Sequence, residues 1–283
     1  MIPGQTNRLL GYPPEARLLI INADDFGMCQ AVNAAVISAL QAGVLRSTTV
    51  MVPCPWARSA LRFLARHPEF AFGVHLTAIA EWPEYRWGPV LARDKVPTLL
   101  DADGCFYDFD QMPELLARAA LDQLEAEFRA QIETVLAAGL QPTHLDWHAL
   151  RLGSRADIAA LLLKLAREYG LALRVRGQAW IDQVQRLDLP TNDFDFLDSY
   201  LLDPADKAAQ FAELLRALPP GLTEWAVHPG LDSPELQAIE PHGQHIRQTD
   251  FDFLVSPQAR EIIQAEGIHL LDYRPLQAVW RQH

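Results

Sequence analysis

Cysteine is scarce in this chain. Cys29, Cys54 and Cys105 are the only three among 283 residues, and no CxxC pair occurs. An odd, scattered set argues against a disulfide framework, and a reducing cytoplasm is the expected setting. Long apolar runs are also missing. No stretch approaches the ~18 residues of a membrane span, and the opening MIPGQTNRLLGYPPEARLL holds no secretory core, so no membrane partner is expected. Positive charge is in deficit: 24 Lys and Arg against 36 Asp and Glu give a formal net charge of -12. That balance argues against nucleic acid or an anionic membrane surface as a nonspecific partner. Neither a fixed-period repeat nor a low-complexity tract is present.

What is present suits a folded enzyme-sized body. Half the residues are hydrophobic (49%) and 21% are charged, which is enough for a sizeable core without the profile of a disordered chain. The length falls within the range of one α/β barrel, about 250 residues. Strand-like and helix-like segments alternate. RLLIIN (17–22) reads as a strand buried on both faces, and QAVNAAVISALQAG (30–43) as a helix with Gly43 as its C-cap. STTVMV (47–52), FAFGVHLT (70–77), PTHLDWH (142–148), LALRV (171–175), TEWAVH (223–228) and IHLLD (268–272) read as further strands. Helices are expected between them at 56–68, 113–139, 155–170, 204–218 and 256–267. About seven strands alternating with helices predict a parallel sheet with helices outside it. A closed or nearly closed (β/α) barrel is the first expectation and an open doubly wound sheet the second. No linker divides the chain, so residues 1–283 are read as one domain with a core over about 17–272. The sequence leaves the oligomeric state open, a homodimer included.

Polar residues gather at the predicted strand ends. Asp24 and Asp25 end the first strand in INADDFG, His75 ends the third, and His228 ends a later one in VHPG. His144, Asp146 and His148 alternate along the fourth and so point to one side. In α/β barrels that rim holds the active site. Each residue also has a plainer reading. Adjacent acids after a strand often cap the next helix, a lone histidine is often a satisfied core residue, and a turn explains Pro-Gly after His228. Several such groups on one face, however, need water, a metal or each other. Two neutral imidazoles and a carboxylate can hold a divalent ion with positions left open, and a second carboxylate can take a proton from water. The segment 78–112 is long and irregular, with Trp82, Tyr85, Trp87, Phe106 and Tyr107. Those aromatics either stack on a sugar ring or pin the loop to the body; Trp82 and Trp87 are the candidates for substrate contact, with His144 and Asp146 from the fourth strand.

Taken in order, NADDFG, STTVMV, GVHL, PTHLDWH and HPG resemble the YdjC-like carbohydrate deacetylases, a family that includes chitooligosaccharide deacetylases and a hopanoid-pathway branch. The resemblance runs from about Arg17 to about Leu254. It implies a metal-dependent hydrolase that removes acetyl groups from N-acetylated sugars on a barrel-like fold. It further implies Asp25, His75 and His148 as metal ligands, Asp24 as general base and His228 as acid. Magnesium is the ion the resemblance implies, while two histidines suit zinc at least as well. Where members continue the fourth-strand motif with further histidines, this chain has HLDWHALRL, with Trp147 in place of a small residue. Arg247 and Asp250 in IRQTDFDFL stand at helical spacing and are read as an ion pair. A metal-dependent sugar isomerase or epimerase and a non-catalytic sugar-binding protein are the competing readings. The first would need a further base or a lysine near the sugar carbons, and no lysine stands at a predicted strand end.

Overall fold

A computed structural model describes residues 4–152 and 155–283. Its sheet is parallel throughout and comprises β1 (Arg17–Phe26), β2 (Ser47–Val50), β3 (Ala71–Leu76), β4 (His144–Trp147), β5 (Ala172–Leu173), β6 (Leu197–Asp198), β7 (Gly221–Val227) and β8 (His269–Leu271). The strand order is β5-β4-β3-β2-β1-β7-β6, with β8 also on β1. The sheet curls into a half-barrel wrapped by helices.

The apolar run of β1 explains its place. Every residue from Leu18 to Phe26 is buried, as a strand covered on both faces requires. Its first half pairs with β8 at Leu18–Ile20, its far end pairs with β2, and β7 runs beside it from Arg17 to Ala23. The half-barrel stops short of closure because β5 and β6 are two residues each and do not pair with one another. Asn192 bridges the gap with side-chain bonds: it accepts from the Val175 N–H at 3.2 Å and donates to the Val175 carbonyl at 2.8 Å.

The expected helix over 113–139 is two helices, Met112–Arg118 and Leu121–Ala137. The break falls at Ala119 and Ala120, residues that carry no breaking signal of their own. Tertiary partners supply it. Arg155 donates to the Leu116 and Ala119 carbonyls, and Thr98 Oγ1 accepts from the Ala120 N–H at 3.0 Å. Segment 78–112 is packed down in the same manner. The Glu127 carboxylate accepts from the Val90 and Leu91 N–H groups at 2.9 and 3.1 Å, and the Trp87 indole donates to the Ile79 carbonyl at 2.8 Å. Among the described residues no helix is long and apolar enough to cross a membrane. All three cysteines are free.

Candidate active site

The C-terminal ends of the strands open into a cleft of about 420 Å³. Asp24 and Asp25, being adjacent, would face opposite sides of a regular strand. A register irregularity between Ala23 and Phe26 and a φ of 66° at Asp25 break that alternation, so both carboxylates line the cleft. A left-handed non-glycine residue costs on the order of 1–3 kcal/mol, a cost that Asp bears better than most residues. Neither aspartate caps the helix Gln30–Ala42. Its N-cap position is Cys29, and the orphan N–H of Ala31 is taken by Glu235 at 2.9 Å.

Asp25 is the centre of the arrangement. Its Oδ1 lies 3.4 Å from His75 Nε2 and 3.1 Å from His148 Nδ1, while its Oδ2 accepts from Arg247 at 2.8 Å. Ligand atoms of Asp25, His75 and His148 all lie within 4.8 Å of one another. The remaining nitrogen of each imidazole is held by a carboxylate: His75 Nδ1 by Asp146 at 2.6 Å, and His148 Nε2 by Glu81 at 2.9 Å. Carboxylate-backed histidines are the usual support of a metal centre. A second grouping, Asp24, His75 and Asp146, is equally compact. Its carboxylates, however, are already neutralised by Arg174, which reaches Asp24 at 2.7 and 2.9 Å and Asp146 at 2.9 Å. Arg247 holds only Oδ2 of Asp25, so Asp25 Oδ1 and the two imidazole nitrogens form the set suited to a cation.

Burial and charge act in opposition here. Burial raises the Asp25 carboxyl, but Arg247 and the two imidazoles outweigh it and hold the group well below the usual carboxylate range. Asp24 is likewise held well below that range, Arg174 and His75 overcoming burial. Burial depresses both imidazoles, yet Asp146 and Asp25 push His75 up to about 10, and Glu81 and Asp25 push His148 up to about 9. Both imidazoles are thereby pushed towards the protonated form.

Asp24 is a paired carboxylate. Its Oδ1 accepts from Asn22 at 2.8 Å and from Arg174, and its Oδ2 accepts from Arg174 alone. A carboxylate oxygen has two acceptor sites, so Oδ2 keeps one, and it faces His228 Nε2 at 4.0 Å. His228 stands at the end of β7, in the cleft.

Four expectations meet a different placement. His144 does not line the cleft. It is buried, stacked on Tyr273 with ring centroids 3.6 Å apart, and bonded to Thr143 Oγ1 at 2.9 Å. Burial and Arg174 hold it well below the usual imidazole range, and so neutral. Gly73 makes room for it: a Cβ there would stand 2.6 Å from the His144 carbonyl oxygen and 2.7 Å from its ring. Asp146 is fully buried beneath the cleft, bonded to His75, Thr49 and Arg174. Trp87 is buried and packs against the His148 ring at 6.1 Å, whereas Trp82 does line the cleft. Arg247 and Asp250 do not pair: Arg247 binds Asp25 and Glu240, and Asp250 binds Lys207 and Ser199. Glu81, Arg174 and Arg247 are the site residues that sequence reasoning missed. Arg174 left a trace, as the single charge in the apolar strand LALRV.

A half-barrel with a buried histidine–carboxylate cluster at its strand ends, one that could hold a metal ion, defines the structural class. Within it, a family model described as YdjC-like protein matches residues 18–265, and the chain belongs to that family. A carbohydrate deacetylase of Enterococcus faecalis is 32% identical over 267 residues, covering 91% of this chain and 97% of its own. One from Thermoanaerobacter pseudethanolicus is 28% identical over 257 residues, covering 91% and 98%. A crystal structure from Enterococcus faecalis, provisionally described as a cellobiose-phosphate cleavage protein, superposes with a TM-score of 0.80 at 30% identity, over 92% of this chain and 99% of that one.

Proposed function

We propose that this chain is a metal-dependent carbohydrate deacetylase, a hydrolase that frees acetate from an N-acetylated sugar or oligosaccharide. The observation that carries the reading is the convergence of His75 Nε2 and His148 Nδ1 on one oxygen of Asp25, at 3.4 and 3.1 Å. The names of the curated relatives support it. Residues 1–283 act as one domain in the cytoplasm, on a small-molecule carbohydrate.

Asp25, His75 and His148 would hold one divalent ion. When bound, such an ion supplies Lewis-acid polarisation of the amide carbonyl and a lowered pKa for its water. Two imidazoles with one carboxylate fit zinc better than magnesium, which favours oxygen ligands. Arg247 fixes Asp25 through Oδ2 and leaves Oδ1 turned to the imidazoles. Asp146 accepts the hydrogen bond of the His75 Nδ1–H, which leaves the Nε2 lone pair for the ion. Asp24 acts as general base through the open site on Oδ2, and Arg174 keeps it ionised and aimed. His228, across from Asp24, protonates the leaving amine. Trp82 forms part of the sugar-facing wall. Among the described residues no lysine lines the cleft, which weighs against the isomerase reading.

The test is acetate release across a panel of N-acetylated mono- and oligosaccharides, with and without chelator. Activity is expected on at least one of them, abolished by chelation and restored by a divalent ion. Undiminished activity in a metal-free sample would rule the mechanism out.

A further inference from the structure

His228 is held from behind by groups with no part in the roles above. Its Nδ1 lies 3.0 Å from Ser199 Oγ. The same hydroxyl donates to Asp250 Oδ2 at 2.5 Å, and the His228 backbone N–H donates to that oxygen at 2.7 Å. The other oxygen of Asp250 accepts from Lys207 Nζ at 2.7 Å, and both of these side chains are wholly buried, at 0% exposure. Lys207 also donates to the Ile246 carbonyl at 3.1 Å. A lysine buried this completely is rare unless paired, and its partner sits one hydroxyl away from the cleft histidine.

The hydrogen count settles a direction. A serine hydroxyl has one hydrogen, and a carboxylate facing an ammonium only accepts. The Ser199 hydrogen is therefore committed to Asp250, and towards His228 the serine can offer only a lone pair. His228 Nδ1 must then carry a hydrogen of its own. We propose that Ser199 and Asp250 are positioning residues that fix His228 as the Nδ1–H tautomer, so that Nε2 alone exchanges a proton with the cleft. The proposal rests on the reading of His228 as the acid. As the C–N bond breaks, its electron pair stays on nitrogen and the Nε2 proton joins it. His228 is left neutral with hydrogen on Nδ1. Asp24 has meanwhile taken one proton from water, so one proton has entered the pair and one has left it.

Other groups also face this ring. Asp24 on β1 is 4.0 Å from Nε2, Asp198 on β6 is 4.0 Å from Nδ1, and the Tyr200 ring stands edge-on with centroids 4.7 Å apart. Asp250 lies on the helix Gln244–Leu254. At 4.0 Å Asp198 is beyond hydrogen-bond reach, which leaves Ser199 as the partner that sets the tautomer.

The experiment uses the full chain labelled with ¹⁵N-histidine, together with kcat measurements. In the wild type, long-range ¹H–¹⁵N correlations should show neutral His228 protonated on Nδ1. In Ser199→Ala that preference should be lost and kcat should fall by roughly tenfold, as the loss of a hydrogen bond to a charged group implies. Ser199→Thr, which keeps the hydroxyl, should restore both the tautomer and kcat. A wild-type His228 protonated on Nε2 would overturn the proposal without any variant. So would an unchanged tautomer and kcat in Ser199→Ala when His228→Ala abolishes turnover. If His228→Ala keeps its turnover, the acid assignment is what fails, and the tautomer measurement still judges the Ser199–Asp250 arrangement.

Discussion

Arg174 grips Asp24 with two nitrogens, at 2.7 and 2.9 Å, in a pair that is almost fully buried. The same guanidinium donates to Glu224 at 2.6 Å. Arg174→Met would strand these carboxylates in the interior, and breaking a buried pair in this way costs about 3–5 kcal/mol. Arg174→Lys keeps the charge but loses the planar fork. We expect Arg174→Met to lower the melting temperature sharply, and Arg174→Lys to stay folded while kcat drops. Wild-type kcat in a folded Arg174→Lys would show that two-point aiming of Asp24 is dispensable.

The paired aspartates separate by metal content. Asp24→Asn should keep its metal and lose turnover by roughly 10²–10⁴-fold, since an amide cannot take the proton. Asp25→Asn should bind metal weakly and regain part of its rate when metal is added. Metal analysis and kcat for the two variants, measured side by side, decide the matter; a metal-free Asp24→Asn with a loaded Asp25→Asn would mean that the roles are exchanged.

Metal binding should depend on pH. His75 and His148, pushed up to about 10 and about 9 in the metal-free chain, must each lose a proton before they can act as ligands. Affinity should thus rise with pH from 6 to 9, by roughly tenfold per pH unit for each proton displaced. The same shifts act on metal-free stability with the opposite sign. Both folded-state values are raised above the ordinary 6.5, so their contribution is complete below that value and is lost as pH climbs through 9 and 10. Chelator-buffered titrations and denaturant melts of stripped protein test the two halves, and a flat affinity profile would contradict the assigned protonation.

Glu81 offers a milder lesion. It is partly exposed and holds His148 Nε2 at 2.9 Å. Glu81→Gln should weaken metal affinity by about 10–100-fold, as loss of a supporting carboxylate commonly does, with little change in melting temperature. Unchanged affinity would mean that the His148 orientation is set by Asp25 and Trp87 alone.

Two tryptophans of one loop should behave differently. Trp87 is 3% exposed, and Trp87→Ala should cost about 3–5 kcal/mol of stability. Trp82→Ala should leave the melt nearly unchanged and raise KM. A Trp82→Ala variant with wild-type KM on its best substrate would remove it from the sugar-facing wall.

Much of the rim could be read from the sequence, because strand-to-helix alternation places Asp24, Asp25, His75 and His228 at strand ends whatever the detailed packing. The fourth strand shows where such reading stops. Alternation put His144, Asp146 and His148 on one surface, but depth along the strand differs. His144 lies under Tyr273, Asp146 lies under His75, and only His148, past the strand end and before the φ of 50° at Ala149, reaches the cleft. Periodicity carries facing and not depth. Arg247 was beyond reach for another reason: its partner Asp25 is 222 residues away, and nothing local marks such a pairing. The two-helix break at Ala119 was hidden likewise, since Arg155 and Thr98 make it.

β1 delivers both aspartates, and it is also the strand gripped by three neighbours, β2, β7 and β8. The amides of its ladder-paired residues, which flank the two aspartates on both sides at Ala23 and Phe26, should therefore exchange with solvent only on global opening, in the most protected cooperative unit of the molecule. The two carboxylates would be unable to loosen ahead of the sheet. Denaturant should then extinguish catalysis and far-ultraviolet ellipticity along one curve, with no intermediate that is folded yet inactive through a frayed Asp24–Asp25 corner.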